Sequence, residues 1–299
     1  MVNYLRQFLE KNHFLNSLLL QPYRDFRLRS YYRSLLPLND LTPSERSNWL
    51  ERIRKVKLSS DNARIDKHPD AGTFKGSKLV MHNGLIIDPL SYYGVPVMRM
   101  LLENKAVHEP QEEFVFQEVL KTIPENACML ELGCYWGFYS MWFNQKIKNA
   151  KNVLVDNKDG LQRAKANFAM NTLNADFFEA YIGKPIENSP VRISNVDELC
   201  SKFSIDFIHL LHCDIQGYEL EMLETMPKQI EKNGIGYVFI STHSNELHYS
   251  CIRFLESNGF TIICHADLDQ SFSEDGLIVA KAHGFKGIDH MEISLLQNA

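Results

Sequence analysis

Residues 128–156 read CMLELGCYWGFYSMWFNQKIKNAKNVLVD. A short apolar run ends at Gly133, apolar residues then recur at helical spacing, and a second apolar run ends at Asp156. The pattern predicts a strand, a tight turn, a helix and a second strand. Glycines in such a turn let the backbone approach a nucleotide-like ligand, and the later acid can bind ribose hydroxyls. We therefore expect this stretch to hold a nucleoside cofactor.

The turn itself narrows the choice of cofactor. The dinucleotide fingerprint G-x-G-x-x-G is absent, because Cys-Tyr-Trp separates Gly133 from Gly137. Tyr135 and Trp136 would also crowd a pyrophosphate at the start of the helix. The spacing E-x-G-x-x-x-G, which begins at Glu131, resembles the first motif of class I S-adenosylmethionine-dependent methyltransferases. A glycine turn of an unrelated α/β protein stays open as the alternative.

Length and composition exclude several classes of protein. The 299 residues suit one catalytic domain of ~200 residues with an extension. No apolar run approaches the ~20 residues of a transmembrane helix, and the start of the chain lacks the pattern of a signal peptide. The six cysteines are scattered without a C-x-x-C pair, which indicates free thiols. We expect a cytoplasmic protein with no transmembrane segment.

The charge is distributed unevenly along the chain. Residues 1–64 hold twelve Lys and Arg against six Asp and Glu, a net charge of +6, which leaves −11 for the rest of the total of −5. The basic residues do not form a known nucleic-acid-binding module, so we do not expect a nucleic-acid partner. A basic helical extension can contact an anionic partner, or dock on the acidic domain of its own or a neighbouring chain. The last arrangement would give a homo-oligomer.

The first third of the chain is predicted to be mainly helical. Helical spacing runs over residues 2–36, and Thr42-Pro43 indicates the start of a helix that runs towards Lys57. The segment KLVMHNGLIID, residues 78–88, predicts a β-hairpin around its Asn-Gly pair. Further helices are expected after Pro96 and over residues 110–123. We place a domain boundary near residue 107, with an extension over 1–107 and a catalytic domain over 108–299.

Strands and helices alternate from residue 128 onward, which predicts an α/β fold with a Rossmann-like, mainly parallel sheet of seven strands. The last two strands are expected to be antiparallel. The predicted strands are 128–132, 152–156, 177–182, 206–213, 236–242, 260–265 and 276–281. The predicted helices between them are 138–147, 159–171, 195–202, 217–231 and 245–258.

A second group of polar residues follows two of these strands. Asp214 closes one strand, and His243 comes just after the next. Ligands of open α/β sheets bind outside the carboxyl ends of the strands, so both side chains are placed for chemistry. They could act as an orienting acid and a general base for a hydroxyl, or as two ligands of a divalent metal ion. A hydrogen-bonded loop pair without chemistry is the third reading.

Five segments in order resemble the FkbM family of methyltransferases, over roughly residues 105–282. The family hallmark K-x-D-x-E-G-x-E matches at Asp214, Gly217 and Glu219, and departs at His212 and Gln216. The following E-x-H keeps its histidine, His243. The segments are HEPQEE (108–113), LELGCYWGFYS (130–140), VRISNVDEL (191–199), LLHCDIQGYELEML (210–223) and ISTHS (240–244).

The resemblance implies an S-adenosylmethionine-dependent O-methyltransferase that acts on a hydroxyl of a sugar, glycolipid or polyketide-type small molecule. His243 would be the general base and Asp214 would orient it or the acceptor. The two departures would remove charge from the acceptor side, and no metal ion is expected. Glu131, Gly133, Tyr135, Gly137, Asp156 and Gly183 would bind the cofactor. Glu131 and Gly133 would hold its methionine tail, Asp156 its ribose, and Gly183 a wall of the adenine slot. His212, Gln216, Gly217 and Glu219 would bind the acceptor.

Two other functions compete with this one. The departures around Asp214 are compatible with a methyltransferase-fold binding subunit that has lost catalysis. A nicotinamide-dependent oxidoreductase is disfavoured by the missing third glycine and by the aromatic residues of the turn.

Overall fold

The computed structural model describes residues 20–296 of the chain. Two compact units make up this part: a smaller one of residues 20–51 and 67–106, and a larger one of residues 52–66 and 107–296. Residues 52–66, which were expected in the extension, thus belong to the larger unit. The helical prediction for residues 2–19 falls outside the described residues.

The smaller unit contains the predicted hairpin. Its strands pair antiparallel, Leu79 opposite Ile87 and Val80 opposite Ile86, and a third short strand joins them. The helix predicted at Thr42 begins as expected. The side chain of Glu45 accepts a hydrogen bond from the backbone N–H of Thr42, and the side chain of Thr42 accepts one from the backbone N–H of Glu45. The elements up to residue 120 are α1 (Gln21–Leu35), α2 (Pro43–Leu58), β1 (Phe74–Lys75), β2 (Lys78–Val80), β3 (Ile86–Ile87), α3 (Val95–Glu103) and α4 (Pro110–Leu120). The helix α2 continues into the larger unit and α4 lies within it.

The larger unit is built on a seven-stranded sheet, as the sequence predicts. Its strand order is β11-β12-β10-β9-β4-β5-β6, and only β12 runs antiparallel to its neighbours. The strands are β4 (Cys128–Leu132), β5 (Lys151–Asp156), β6 (Asp176–Glu179), β7 (Tyr181–Ile182), β8 (Ile193–Ser194), β9 (Ile208–Cys213), β10 (Ile235–Thr242), β11 (Phe260–Ala266) and β12 (Gly276–Ala282). The helices are α5 (Phe138–Lys146), α6 (Lys158–Met170), α7 (Val196–Lys202), α8 (Glu219–Glu224), α9 (Pro227–Glu231) and α10 (Asn245–Ser257).

The burial of the central strands explains why the sequence predicted them. Every residue of β4 and of β10 is buried, as expected for strands covered on both faces. From β4 the chain builds outward through β5 and β6, and it then returns to the other side of β4 at β9. The direction of winding therefore reverses between β4 and β9. In open α/β sheets, such a switch point opens a crevice at the carboxyl ends of the strands.

Two predicted elements are divided in the structure. The strand expected over 177–182 leaves the main sheet after Glu179, because Tyr181 and Gly183 donate instead to the carbonyls of Arg192 and Ser194. The helix expected over 217–231 begins only at Glu219 and is interrupted before Pro227. Proline disfavours helical geometry in the residue before it, and Met226 is accordingly non-helical.

Two predictions about the whole chain are also addressed by the described residues. All six cysteines are buried and free. Between residues 20 and 296, no helix is long and apolar enough to cross a membrane.

Candidate active site

The turn after β4 is set by close backbone contact with β9. Gly133 adopts a φ of 77°, and a Cβ atom there would lie 1.7 Å from the carbonyl oxygen of Asp214. The same strand ends are tied by a hydrogen bond of 2.9 Å from the N–H of Asp214 to the carbonyl of Leu132. Only glycine fits at this point. The turn ends at Gly137, which caps α5 with a φ of 73°.

Asp156 lies at the end of β5 and holds the middle of this turn. Its carboxylate accepts from the N–H of Tyr135 at 2.7 Å and from the N–H of Asn157 at 2.6 Å. Burial raises the pKa of Asp156 and the charge of Asp214 adds to this, while the two backbone hydrogen bonds oppose the shift. A Cβ atom on Gly160 would lie 2.5 Å from the carboxyl carbon of Asp156. The missing side chain therefore makes room for this carboxylate against α6.

A cleft of about 810 Å³ opens at the carboxyl ends of β5 and β6, and its lining includes Asn157, the residue after Asp156. This volume lies in the range of small-molecule and cofactor sites. Tyr135 and Asn157 line it on one side, and Ala180, Tyr181 and Arg192 on the other. The expected adenine wall, Gly183, is not among its lining residues, because the chain turns away from the sheet after Glu179.

The aromatic residues of the turn have different surroundings. Trp136 and Phe138 are buried, and their rings stack on each other at 5.1 Å. Tyr135 is half-buried and lines the cleft, with the guanidinium of Arg163 at 4.9 Å from its ring centre. Packing thus accounts for Trp136 and Phe138, and Tyr135 is the aromatic residue that faces the cleft.

Glu131 lies below the turn and is buried. Its carboxylate accepts a hydrogen bond of 3.3 Å from the N–H of Ser140 and lies 4.0 Å from Nδ1 of His212. Burial raises the pKa of Glu131 to about 7, although His212 and Ser140 act against this. The carboxylate therefore links β4 to the start of α5.

Four polar side chains meet at one edge of the sheet, at the carboxyl ends of β9 and β10 and beside the start of β12. Nε2 of His243 lies 3.3 Å from Oδ1 of Asp214 and 3.4 Å from Oδ1 of Asp275. On the other side of the ring, Nδ1 of His243 lies 2.8 Å from Oε1 of Glu219. The expected pair of Asp214 and His243 is thus brought together, and two further carboxylates join it.

These carboxylates determine the protonation of His243. Burial lowers the pKa of the imidazole, but the hydrogen bonds with Asp214 and Glu219, together with the charges of Asp275 and Asp214, outweigh burial and raise it to about 10. The ring is therefore an imidazolium at neutral pH. The role of general base expected for His243 requires a neutral ring, which this surrounding disfavours.

Gln216 and Glu219 both contact the imidazole ring of His243. Glu219 is fully buried and also accepts from the N–H of Gly217 at 3.0 Å. The Gln216 amide lies 3.2 Å from Asp214 and 2.8 Å from Nε2 of His243. A half-turn of this amide exchanges its oxygen and nitrogen, so its oxygen can face the protonated ring, at the loss of the amide's hydrogen bond to Asp214. Of these residues, Gln216 and Gly217 are exposed at the strand ends.

His212 lies away from this exposed edge. It is 3% exposed, and its Nε2 lies 2.7 Å from Oε1 of Glu112, a residue of α4. Burial lowers the pKa of His212, but Glu112, Glu131 and Asp214 together raise it to about 9. The departure from lysine to histidine therefore keeps a positive charge, inside the fold, in contrast to the loss of charge expected from the sequence.

The start of α4 continues this buried charged cluster. His108 is 3% exposed and lies between Glu109 at 3.2 Å and Glu113 at 2.6 Å. Burial lowers the pKa of His108, but the two carboxylates raise it to about 10. The hydroxyl of Tyr139, on α5, donates to Glu109 at 2.8 Å. The last contact attaches the segment HEPQEE to α5.

A small cavity joins this cluster to the strand ends. Its volume is about 10 Å³, which is room for about one ordered water molecule. Glu109 and Glu112 line one side, and Ser241 and Asp275 the other. Within residues 20–296, the His, Cys, Asp and Glu side chains form no group of three or more that could hold a metal ion.

Sequence reasoning missed three of these residues. Asp275 was not assigned a role from the sequence, yet an acid just before an antiparallel strand lies at the same edge as the ends of the parallel strands. Glu112 stands in HEPQEE, whose charged residues were not assigned a partner. Gly160 gave no signal, because its close approach to Asp156 appears only in three dimensions.

Comparison with known proteins places this site in context. A family model described as the Methyltransferase FkbM domain matches residues 92–262. Among solved structures, a precorrin-6y C5,15-methyltransferase from Geobacter metallireducens GS-15 shares 11% identity over 56% of this chain and 87% of that chain, with a TM-score of 0.40. M. capricolum TrmK in complex with S-adenosyl-homocysteine shares 16% identity over 60% and 71% of the two chains, with a TM-score of 0.38. A comparison with curated protein sequences finds no match.

Proposed function

The chain belongs to the FkbM family of methyltransferases, and from this premise we propose that it methylates a hydroxyl group of a small molecule. S-adenosylmethionine is the cofactor of this methylation. The acceptor class that we propose is a sugar, glycolipid or polyketide-type compound. The observation that carries the proposal is the meeting of Asp214 and His243, 3.3 Å apart, at the strand ends beside the cofactor turn.

The residues of the cofactor turn fit S-adenosylmethionine. This cofactor has a ribose and an adenine but no phosphate, and an aromatic turn is compatible with that. The absence of a side chain at Gly133 keeps the turn against the end of β9, where a Cβ atom would collide with Asp214. Asp156 would bind the ribose hydroxyls, and the cleft lined by Ala180 and Tyr181 would receive the adenine. Glu131 would support the part of the turn nearest the methionine tail.

The strand ends of β9 and β10 would bind the acceptor. Asp214 and His243 present a carboxylate and an imidazolium, which can accept from and donate to a hydroxyl at the same time. Gln216 and Gly217 are exposed beside them and would contact the rest of the acceptor. When bound, S-adenosylmethionine supplies a methyl group on a positively charged sulfur. The residues of this chain hold the hydroxyl in line with it and receive its proton.

The experiment that tests the function begins with calorimetric titration of the protein with S-adenosylmethionine and, separately, with NAD. Binding of the first alone is expected. A screen of hydroxylated acceptors with methyl-labelled cofactor then looks for an O-methyl product by mass spectrometry. Binding without transfer to any hydroxyl would favour the non-catalytic binding subunit, and a methyl group found on nitrogen or carbon would replace the O-methyl proposal.

Replacing Asp156 with Ala is expected to weaken binding of S-adenosylmethionine by about tenfold or more, because a pair of charge-assisted hydrogen bonds to the ribose is lost. Gly160→Ala should act through the same carboxylate, since its Cβ atom would displace it. The double variant should therefore bind no more weakly than Asp156→Ala alone. Calorimetry measures all three.

The matched control for this cycle is Asp176→Ala. Asp176 is an exposed carboxylate at the opposite end of the neighbouring strand, β6. Its loss should leave the affinity unchanged. Unchanged affinity in Asp156→Ala would rule out the ribose role, and additive losses in the double variant would show that Gly160 acts independently.

The basic extension supports a separate proposal, a contact between copies of the chain. In α1, Tyr23, Phe26 and Tyr31 are each more than half exposed, and arginines lie between them. We propose that this surface docks on the acidic domain of a second copy. Sedimentation analysis at low and high salt tests it, since a charge-driven contact weakens with ionic strength.

The free thiols of the chain agree with a cytoplasmic location, which we also propose.

A further inference from the structure

The start of β12 brings Asp275 to the site. Strand β12 runs antiparallel to β10, with Gly276 opposite Thr242. The residue before β12 therefore lies beside the residue after β10. Oδ1 of Asp275 is accordingly 3.4 Å from Nε2 of His243. Asp275 follows the segment matched by the family, which ends at residue 262.

The position of His243 among carboxylates limits what this ring can do. Nδ1 of the ring faces the fully buried carboxylate of Glu219, and Nε2 faces Asp214 and Asp275. A buried carboxylate such as Glu219 requires a positive partner, and the imidazolium supplies it. A ring that is protonated on both nitrogens has no lone pair with which to accept a proton.

We propose that Asp275, and not His243, is the general base that accepts the proton of the acceptor hydroxyl. His243 then serves as a positioning residue, charged at neutral pH, that holds Asp214 and Asp275 in place. This inference rests on the proposed O-methyl transfer and assigns the proton in that same site.

The groups that face Asp275 set its pKa in the range that a general base needs. Burial raises the pKa of Asp275 first, the charges of Asp214 and Glu109 raise it further, and His243 and Arg52 lower it, with a result of about 7. A general base works best when its pKa lies near the working pH. The side chain is 22% exposed, so the carboxylate remains accessible.

A small cavity lies next to Asp275. Glu109 and Glu112 form the opposite side of the cavity, whose volume of about 10 Å³ admits about one water molecule. Repulsion from the carboxylate of Glu109 favours a proton on Asp275 once the hydroxyl has released it. Ser241, in the same cavity, donates to Glu112 at 3.3 Å.

The transfer balances without a further reactant. The oxygen of the acceptor forms a bond to the methyl carbon, and the bond from that carbon to sulfur breaks with its electron pair left on sulfur. The hydroxyl proton passes to Asp275, which releases it to water before the next cycle. No oxidant, reductant or metal ion takes part in this balance.

The test compares Asp275→Asn with Glu274→Gln on the hydroxylated acceptor found by the screen. Glu274 is the neighbour of Asp275 on the same loop, and its carboxylate is more than half exposed and 3.8 Å from Arg52. We expect Asp275→Asn to lower kcat by about 10²–10⁴-fold and to abolish the fall of kcat/KM on the acid side of about pH 7. Glu274→Gln should retain both, and calorimetry should show unchanged cofactor affinity in both variants.

Opposite results would overturn the assignment. If His243 were the base, Asp275→Asn would keep the acid limb of kcat/KM and shift it to lower pH, because one carboxylate beside the ring is removed. If the kcat of Asp275→Asn were less than about tenfold below that of the wild-type protein, Asp275 would likewise be excluded as the base.

A second measurement needs no acceptor and separates this inference from the proposed function. Nitrogen NMR of His243 should show a protonated ring from about pH 6 to about pH 9 in the complex with S-adenosylhomocysteine. A ring that loses its proton below about pH 7 would overturn the inference, whatever the acceptor. A failed acceptor screen with a protonated His243 would instead count against O-methyl transfer.

Discussion

Replacing Gly133 with Ala is expected to abolish measurable binding of S-adenosylmethionine and to destabilise the larger unit. The new Cβ atom would lie 1.7 Å from the carbonyl oxygen of Asp214 and 2.7 Å from its carbonyl carbon. Both atoms belong to the backbone of a neighbouring strand end, so neither can move away as a side chain does. The clash would break the hydrogen bond of 2.9 Å between Asp214 and Leu132 and separate the cofactor turn from the acceptor side.

The matched control is Gly259→Ala. Gly259 has a φ of 82°, close to the 77° of Gly133, but a Cβ atom there meets nothing within 4 Å. Its replacement should therefore show the backbone strain alone, roughly 1–2 kcal/mol. Urea unfolding and calorimetry compare the two variants. Equal loss of stability in both, with cofactor binding retained in Gly133→Ala, would show that the strand ends can separate without consequence.

Replacing His243 with Ala is expected to lower both stability and turnover. Glu219 is fully buried, and removal of the imidazolium 2.8 Å away would leave its carboxylate without a positive partner. Loss of one member of a buried ion pair costs about 3–5 kcal/mol of unfolding free energy. Turnover should fall about 10²-fold, because Asp214 and Asp275 lose the group that holds them.

A second change separates these two effects. In the double variant His243→Ala with Glu219→Gln, no buried charge remains without a partner, so much of the lost stability should return. Turnover should not return, since the orienting charge is still missing. Recovery of turnover by Glu219→Gln would show that His243 contributes only to folding.

The pH dependence of stability provides a check on the same pair. The folded-state pKa of His243, about 10, lies above the unfolded value of about 6.5. Its stabilising contribution is therefore complete below about pH 6.5 and is lost as the pH rises through about 10. The free energy of unfolding should fall less over this interval in His243→Ala than in the wild-type protein.

The sequence predicted the sheet because its strands carry their signal locally. The strand β4 is buried throughout, so its apolar run is nearly continuous, and the glycines at 133 and 137 stop it at the right place. The strand expected over 177–182 was divided because a preference for extended backbone does not say which partner the backbone pairs with. Tyr181 pairs with the distant Arg192–Ile193 region, and that choice depends on tertiary contacts.

The same distinction holds in the active site. The cofactor turn and the positions of Asp214 and His243 at strand ends follow from local patterns, because the carboxyl ends of parallel strands share one edge. The protonation of His243 does not follow from local patterns. It depends on the carboxylates of Glu219 and Asp275, which are 24 or more residues away in the sequence. The sequence by itself therefore determined the fold class and the family, and it predicted where the site lies. Only the tertiary structure decided which side chain can accept a proton, since a pKa is fixed by the charges that surround a group in space.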